Sequence, residues 1–252
     1  MDNLFDLTGK FALVVGASSG LGRQFAKALA RQGATVAIAA RRIDKLNETK
    51  AQVEALGAKC IAVSCDVCNE ESIVKCVETV MNEFGRIDIL CNNAGIATFG
   101  EFTETSTNDW DRTFDVNIRG MYLMSREVGK VMKKQNYGKI INTASISGHG
   151  GDPVTVAYCA SKAAVVNFTR AVATALGQYN VTVNSIAPGV FASEITEKDL
   201  DGPMTKAYTA SAPLHRIGNE GELDGALIYF ASDASSYCTG QTLYVDGGKT
   251  ST

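Results

Sequence analysis

Tyr158 and Lys162 stand four residues apart in Tyr158-Cys159-Ala160-Ser161-Lys162. In a helix that spacing is about one turn, roughly 6 Å of rise, and places both side chains on one face. A phenol is a poor acid at neutral pH, with an ordinary pKa of about 10. A neighbouring ammonium favours the phenolate, because opposite charge stabilises the ionised form. A tyrosine held this way can pass a proton to or from the oxygen of a carbonyl–alcohol pair. The same spacing also arises by accident on helix surfaces, so the chemistry needs a redox partner elsewhere in the chain.

That partner site is announced by Gly16-Ala17-Ser18-Ser19-Gly20-Leu21-Gly22. Before it, Lys10-Phe11-Ala12-Leu13-Val14-Val15 has the apolar, β-branched character of a strand buried in a parallel sheet. After it, Leu21, Phe25, Ala28 and Leu29 recur on one helical face. Glycines at a strand-to-helix turn allow a tight bend and close approach of a ligand, and the N–H groups of the helix start attract phosphate. No Gly-Lys-Ser/Thr follows, which excludes a P-loop.

The elements that must position these groups alternate along the chain. Strands are expected at 11–15, 35–39, 59–64, 87–91, 139–142, 182–186 and 242–245. Helices are expected at 21–32, 43–56, 70–84, 108–134, 156–178 and 220–232, with Asn69 and Ser106 as caps. Such β-α alternation predicts an α/β fold: a doubly wound, parallel, seven-stranded Rossmann-like sheet with helices on both faces. Ligands of that architecture bind at the carboxyl ends of the strands. The glycine loop, Asn92-Asn93-Ala94-Gly95, Ser145 and Pro188-Gly189 all fall at strand ends and converge there. We expect one domain over residues 1–252, with a substrate lid at about 190–218 and a short helix near 195–210. Phe191, Ile195, Leu200, Met204, Tyr208 and Leu214 would give that lid an apolar lining.

The bulk properties remove several function classes. A net charge of −3 leaves no electrostatic footprint for nucleic acid or an anionic membrane. The first residues carry no signal-peptide pattern and no apolar run approaches a membrane span, so the expectation is a cytoplasmic protein. Seven cysteines at irregular spacing point to reduced thiols. Cys65-Asp66-Val67-Cys68 lacks a second C-x-x-C or a nearby histidine, so no metal site is expected.

With Gly16, Gly20 and Gly22, Asn92-Asn93-Ala94-Gly95, Asn117, Ser145 and Tyr158-x-x-x-Lys162 in this order, the chain resembles the short-chain dehydrogenase/reductases from Leu7 to Gly248. The resemblance implies that Tyr158 is the general acid/base and that Lys162 lowers its pKa and bonds the nicotinamide ribose. Ser145, thirteen residues before the tyrosine, is similar to the serine that orients substrate, and Asn117 to the asparagine that anchors a proton-relay water. On the cofactor side it implies contacts from Gly16, Ser18, Ser19, Gly20, Leu21, Gly22, Asp66, Val67, Asn93, Ala94, Gly95, Tyr158, Lys162, Pro188, Gly189, Phe191 and Ser193. Val15 departs from the family, which generally has threonine there. The lost hydroxyl is expected to have a modest effect on stability and none on binding.

Cofactor choice follows from charge. A carboxylate at the end of the second strand would accept from the 2′-hydroxyl of NAD and repel a 2′-phosphate. Here the chain reads Ala39-Ala40-Arg41-Arg42, and guanidinium suits a phosphate dianion. The expectation is NADP(H), with Arg41 the chief contact and Arg42 supporting it. The expected reaction is hydride transfer between a secondary alcohol and a ketone, on a small-molecule substrate such as a hydroxysteroid or a sugar acid. A 3-oxoacyl-carrier-protein reductase and a non-catalytic nucleotide sensor are the alternatives. The resemblance further implies a homo-oligomer, a tetramer built on the long helices and the last strand.

Overall fold

The computed structural model describes residues 3–191 and 202–251. Strands β1 (Phe11–Val15), β2 (Thr35–Ala40), β3 (Cys60–Ser64), β4 (Ile89–Asn92), β5 (Gly138–Thr143), β6 (Val181–Pro188) and β7 (Thr242–Val245) form one seven-stranded sheet in the order β3-β2-β1-β4-β5-β6-β7. Every neighbouring pair is parallel. The order reverses between β1 and β4, and this switch point opens a crevice at the carboxyl ends of the two strands.

Two hydrophobic layers hold the sheet. Within β1, alternate residues point to opposite faces. Ala12 and Val14 join a cluster with Phe25 and Leu29 of α1 (Gly20–Arg31) and Leu227 of α8 (Asp224–Ala231). Leu13 and Val15 join a second cluster with Ile73 and Val80 of α3 (Glu70–Phe84) and Met124 and Val128 of α5 (Gly120–Gln135). With both faces covered, the strand is apolar throughout, as its sequence indicates. Val15 is fully enclosed in the second layer, so its methyl groups occupy apolar space.

Local signals set most helix limits. Asn69 accepts from the N–H of Ser72 at 2.9 Å, Glu70 and Glu71 occupy the first turn, and Gly85 ends the helix with φ of 75°. The sequence predicts one helix over 108–134, and here the structure differs. Helix α4 (Thr107–Phe114) passes through a wider π turn, Asp115–Arg119, before α5 begins. The extra residue in that turn places Asn117 in the interior, where its side chain bonds the backbone of Ile96. At Gly120 the backbone meets Val67 so closely that a Cβ would lie 2.8 Å from it.

The remaining helices are α2 (Ile43–Glu54), α6 (Val156–Leu176) and α7 (Pro203–Ser211). The last of these is the described part of the expected lid helix; residues 195–201 lie outside the described residues. At the amino ends of the strands, buried Asp88 accepts from Phe11 N–H and Arg86 Nε, each at 3.0 Å, and pins β1 to β4.

Candidate active site

The glycine loop is built for close approach. Gly16 has φ of 82°, a region that disfavours any side chain, and a Cβ there would stand 2.6 Å from the Ala94 backbone. At Gly22 a Cβ would lie 2.2 Å from the Gly16 carbonyl oxygen. The loop's own carbonyls are occupied: Arg23 donates to Ser18 O at 2.9 Å, and the Thr49 hydroxyl donates to Ala17 O at 3.0 Å. The Ser19 side chain does not cap α1, so the first N–H groups of the helix face the crevice without that partner. These features fit a pyrophosphate.

Arg41 and Arg42 follow β2 and are both exposed. Arg42 reaches across the loop and donates to the hydroxyls of Ser18 at 3.1 Å and Ser19 at 3.3 Å. Arg41 makes no hydrogen bond or ion pair among the described residues, and it lines the same cleft. Asp66, after β3, accepts from Cys68 N–H at 3.0 Å, while Val67 packs beneath it.

The proton-handling groups sit across the cleft on α6 and the end of β5. The Ser145 hydroxyl accepts from Ser147 N–H at 3.1 Å and lies near the Tyr158 phenol. Burial holds the phenol above its ordinary value, with the nearby Ser145 hydroxyl pulling the other way. Lys162 is deeply buried, and desolvation pushes its ammonium down to about 8. Its hydrogen bond goes to Thr143 O at 2.7 Å, while the ammonium lies 5.6 Å from the Tyr158 ring centroid. Lys162 thus bonds the Thr143 backbone rather than the phenol, and desolvation is the first cause of the shift at both groups.

Asn117 is buried beside the cleft rather than on its wall. Its amide nitrogen donates to Ile96 O and Ser161 Oγ, each at 2.9 Å, and its oxygen accepts from Ile96 N–H at 2.8 Å. The Ser161 hydroxyl donates in turn to Tyr158 O at 2.8 Å, which ties the π turn to the start of α6.

A single cleft of about 1220 Å³ gathers most of the residues singled out from sequence. Gly16, Ser18, Ser19, Gly20, Leu21, Arg41, Arg42, Asp66 and Val67 line one part of it. Asn93, Ala94, Gly95, Ser145, Tyr158, Lys162, Gly189 and Phe191 line the rest. Gly22 lies behind the loop and Pro188 ends β6, so these two support the wall. Ser193, Ile195 and Leu200 lie outside the described residues, as does the side chain of Met204.

The apolar lid lining is corrected in part. Phe191 is buried against Gly218, where a Cβ would lie 2.3 Å from the ring. Leu214 is 61% exposed and lies off the cleft. Tyr208 lines the cleft, but its hydroxyl donates to Asp246 O at 2.6 Å.

Several wall residues carry no sequence signal: Phe99, Asp152, Thr155, Ser211, and Lys249 with Thr250 from the last turn of the chain. The last pair is delivered by Asp246, whose carboxylate accepts from Gly248 N–H at 2.9 Å and from Thr250 N–H at 2.8 Å. His149 also lines the cleft, edge-on to Tyr244 at 5.5 Å between ring centroids. All seven cysteines are free thiols, and no group of metal-ligating side chains occurs among the described residues.

Residues 16–250 match a family described as Enoyl-(Acyl carrier protein) reductase. Gluconate 5-dehydrogenase of Gluconobacter oxydans (strain 621H) is 37% identical over 249 residues, covering 98% of this chain and 97% of the relative. The crystal structure of a short-chain type dehydrogenase/reductase from Mycobacterium marinum superposes with a TM-score of 0.94 at 38% identity, covering 98% of each chain. A structure from Agrobacterium tumefaciens with bound NADP superposes with a TM-score of 0.91 at 31% identity over 100% of each chain.

Proposed function

Since this chain belongs to the short-chain dehydrogenase/reductase family and is an alcohol–ketone oxidoreductase using a nicotinamide cofactor, we propose that its cofactor is NADP(H) and that Tyr158 is its general acid/base. The observation that carries the cofactor choice is the pair of guanidiniums after β2, with no carboxylate between the strand and Arg42. Arg41 takes the 2′-phosphate, since none of its donors is committed among the described residues. Arg42 holds the hydroxyls of Ser18 and Ser19 in place beside it. Gly16, Gly20 and the start of α1 receive the pyrophosphate, Asp66 and Val67 the adenine, and Asn93, Ala94 and Gly95 the adenosine ribose. Gly189 and Phe191 border the nicotinamide.

When bound, the nicotinamide supplies or accepts the hydride at the substrate carbon. Tyr158 gives its phenolic proton to the carbonyl oxygen during reduction and takes it back during oxidation. Ser145, beside the phenol, orients that oxygen and stabilises its developing charge. Lys162 presents an ammonium beside the phenol and stabilises the phenolate left by proton transfer. Asn117 holds the Ile96 backbone and the start of α6 in register with it.

Val190, Phe191, Ala207, Tyr208 and Ser211, the described lid residues that line the cleft, border the substrate end of the same single domain. The long helices α4 to α6 and edge strand β7, with exposed Tyr122 and Leu243, are the surfaces on which a homotetramer would assemble. Seven free thiols support a reducing, cytoplasmic setting.

The test is NADPH absorbance followed over a panel of ketones, with NADH in parallel. Steady loss of NADPH, and a lower kcat/KM with NADH, is expected. Binding without turnover would make the protein a nucleotide sensor, and preference for NADH would overturn the assignment to the arginines.

A further inference from the structure

We propose that Thr143 is a positioning residue that joins the proton-handling amine to the phosphate loop. It rests on the functional reading above and concerns a residue to which that reading gives no role. Thr143 is the last residue of β5, and it is used twice. Its backbone oxygen accepts from Lys162 Nζ at 2.7 Å. Its hydroxyl donates to Asn93 Oδ1 at 3.2 Å, and Asn93 Nδ2 donates onward to Gly16 O at 3.1 Å. A continuous line of three hydrogen bonds thus runs from the buried amine to the first glycine of the loop.

The geometry of the sheet makes this connection available. β4 lies between β1 and β5, so Asn93, one residue past the end of β4, can reach sideways to both neighbours. Its backbone N–H donates to Val15 O at 3.1 Å, which sets the reach. Gly95, two residues on, leaves open the space where a Cβ would stand 3.5 Å from Lys162 Nζ. At the far end, the Gly16 carbonyl lies where any Cβ on Gly22 would fall, so displacement of that oxygen is felt at the start of α1.

Each donor meets an acceptor in this line. Asn93 directs its oxygen to a hydroxyl and its nitrogen to a carbonyl, which defines the orientation of the amide. Only a hydroxyl at position 143 supplies the first donor. Valine keeps the shape and the backbone oxygen but leaves Asn93 Oδ1 without that partner, and the amide is free to turn away from Gly16. The amine and the phosphate loop then lose their common reference.

The experiment compares wild type, Thr143→Val and Thr143→Ser by NADPH dissociation constant from fluorescence titration, by the pH dependence of kcat/KM and by thermal unfolding. Thr143→Val is expected to weaken NADPH about fivefold and to displace the alkaline limb of the pH profile, while Thr143→Ser keeps both. Asn93→Leu added to Thr143→Val should cost no more affinity than Asn93→Leu alone, because the two side chains act in series. The proposal is overturned if Thr143→Val binds NADPH as wild type does with an unmoved pH profile, whatever happens to its unfolding temperature. It is equally overturned if the losses at Thr143 and Asn93 add. If Thr143→Val does not fold, the same comparison between Thr143→Ala and Thr143→Ser decides. A wild type that binds no dinucleotide sinks the functional reading itself, and this proposal with it.

Discussion

The ammonium of Lys162 donates to the Thr143 carbonyl and sits 5.6 Å from the centroid of the Tyr158 ring, with no direct bond to the phenol. The two groups share one turn of α6 and interact through space. Burial holds Lys162 down to about 8 in the free protein. Its charge is present below that pH and is lost above it. Ketone reduction followed as kcat/KM, which reports the free enzyme, should fall above about pH 8. Lys162→Arg keeps its charge and should abolish that limb. The stability effect has the opposite sense, because the unfolded chain binds more protons between about pH 8 and the ordinary ammonium value. Wild type should therefore gain stability relative to Lys162→Met as pH rises through that window, measured by urea unfolding. A constant difference across it would show that the amine is not held down.

Tyr158→Phe removes the proton donor and keeps the ring. A loss of about 10²- to 10⁴-fold in kcat is expected, with NADPH affinity unchanged. Stopped-flow turnover beside a fluorescence titration separates the two, and undiminished kcat would remove Tyr158 from the mechanism.

The arginines divide their work, and single substitutions should separate them. Arg41→Ala is expected to raise the KM for NADPH about tenfold with little change for NADH, since one charge-assisted contact to phosphate is lost. Arg42→Ala should give a smaller NADPH defect that Ser18→Ala reproduces, because Arg42 acts through that hydroxyl. Equal losses with NADH and NADPH would argue against a 2′-phosphate contact.

Gly16→Ala meets two obstacles at once, a φ of 82° and a Cβ placed 2.6 Å from the Ala94 backbone. A destabilisation of about 1–3 kcal/mol is expected from the backbone region alone. Dinucleotide affinity should fall by more than any loss at Gly57, which has a similar φ of 85° and open space around it. Chemical unfolding and cofactor titration of both variants make the comparison.

Tyr208 anchors α7 through its bond to Asp246 O, and Asp246 also holds the turn that carries Lys249 and Thr250 to the cleft. Tyr208→Phe keeps the ring against Gly189 and removes about 1 kcal/mol of hydrogen bonding. Substrate KM should rise a few-fold with kcat nearly intact, because the substrate wall loosens while the proton-handling groups stay in place. A change confined to kcat would contradict the positioning role.

Local chemistry in the chain determined a large part of this protein. The Asn69 cap, the strand-loop-helix at Gly16 and the one-turn spacing of Tyr158 and Lys162 each depend on residues close in sequence, so they are legible there. Parallel order followed from alternation, and convergence at one sheet edge followed from parallel order. Tertiary structure alone decided the rest. The break between α4 and α5 depends on Asn117 meeting Ile96, and the amine on α6 finds its partner on strand β5. The Thr143 hydroxyl finds Asn93 fifty positions earlier in the chain. Lys249 and Thr250 reach the cleft only because Asp246 folds the last turn back. In each case the deciding energy is a hydrogen bond or a desolvation set by a neighbour distant in sequence, and such neighbours exist only once the sheet has assembled.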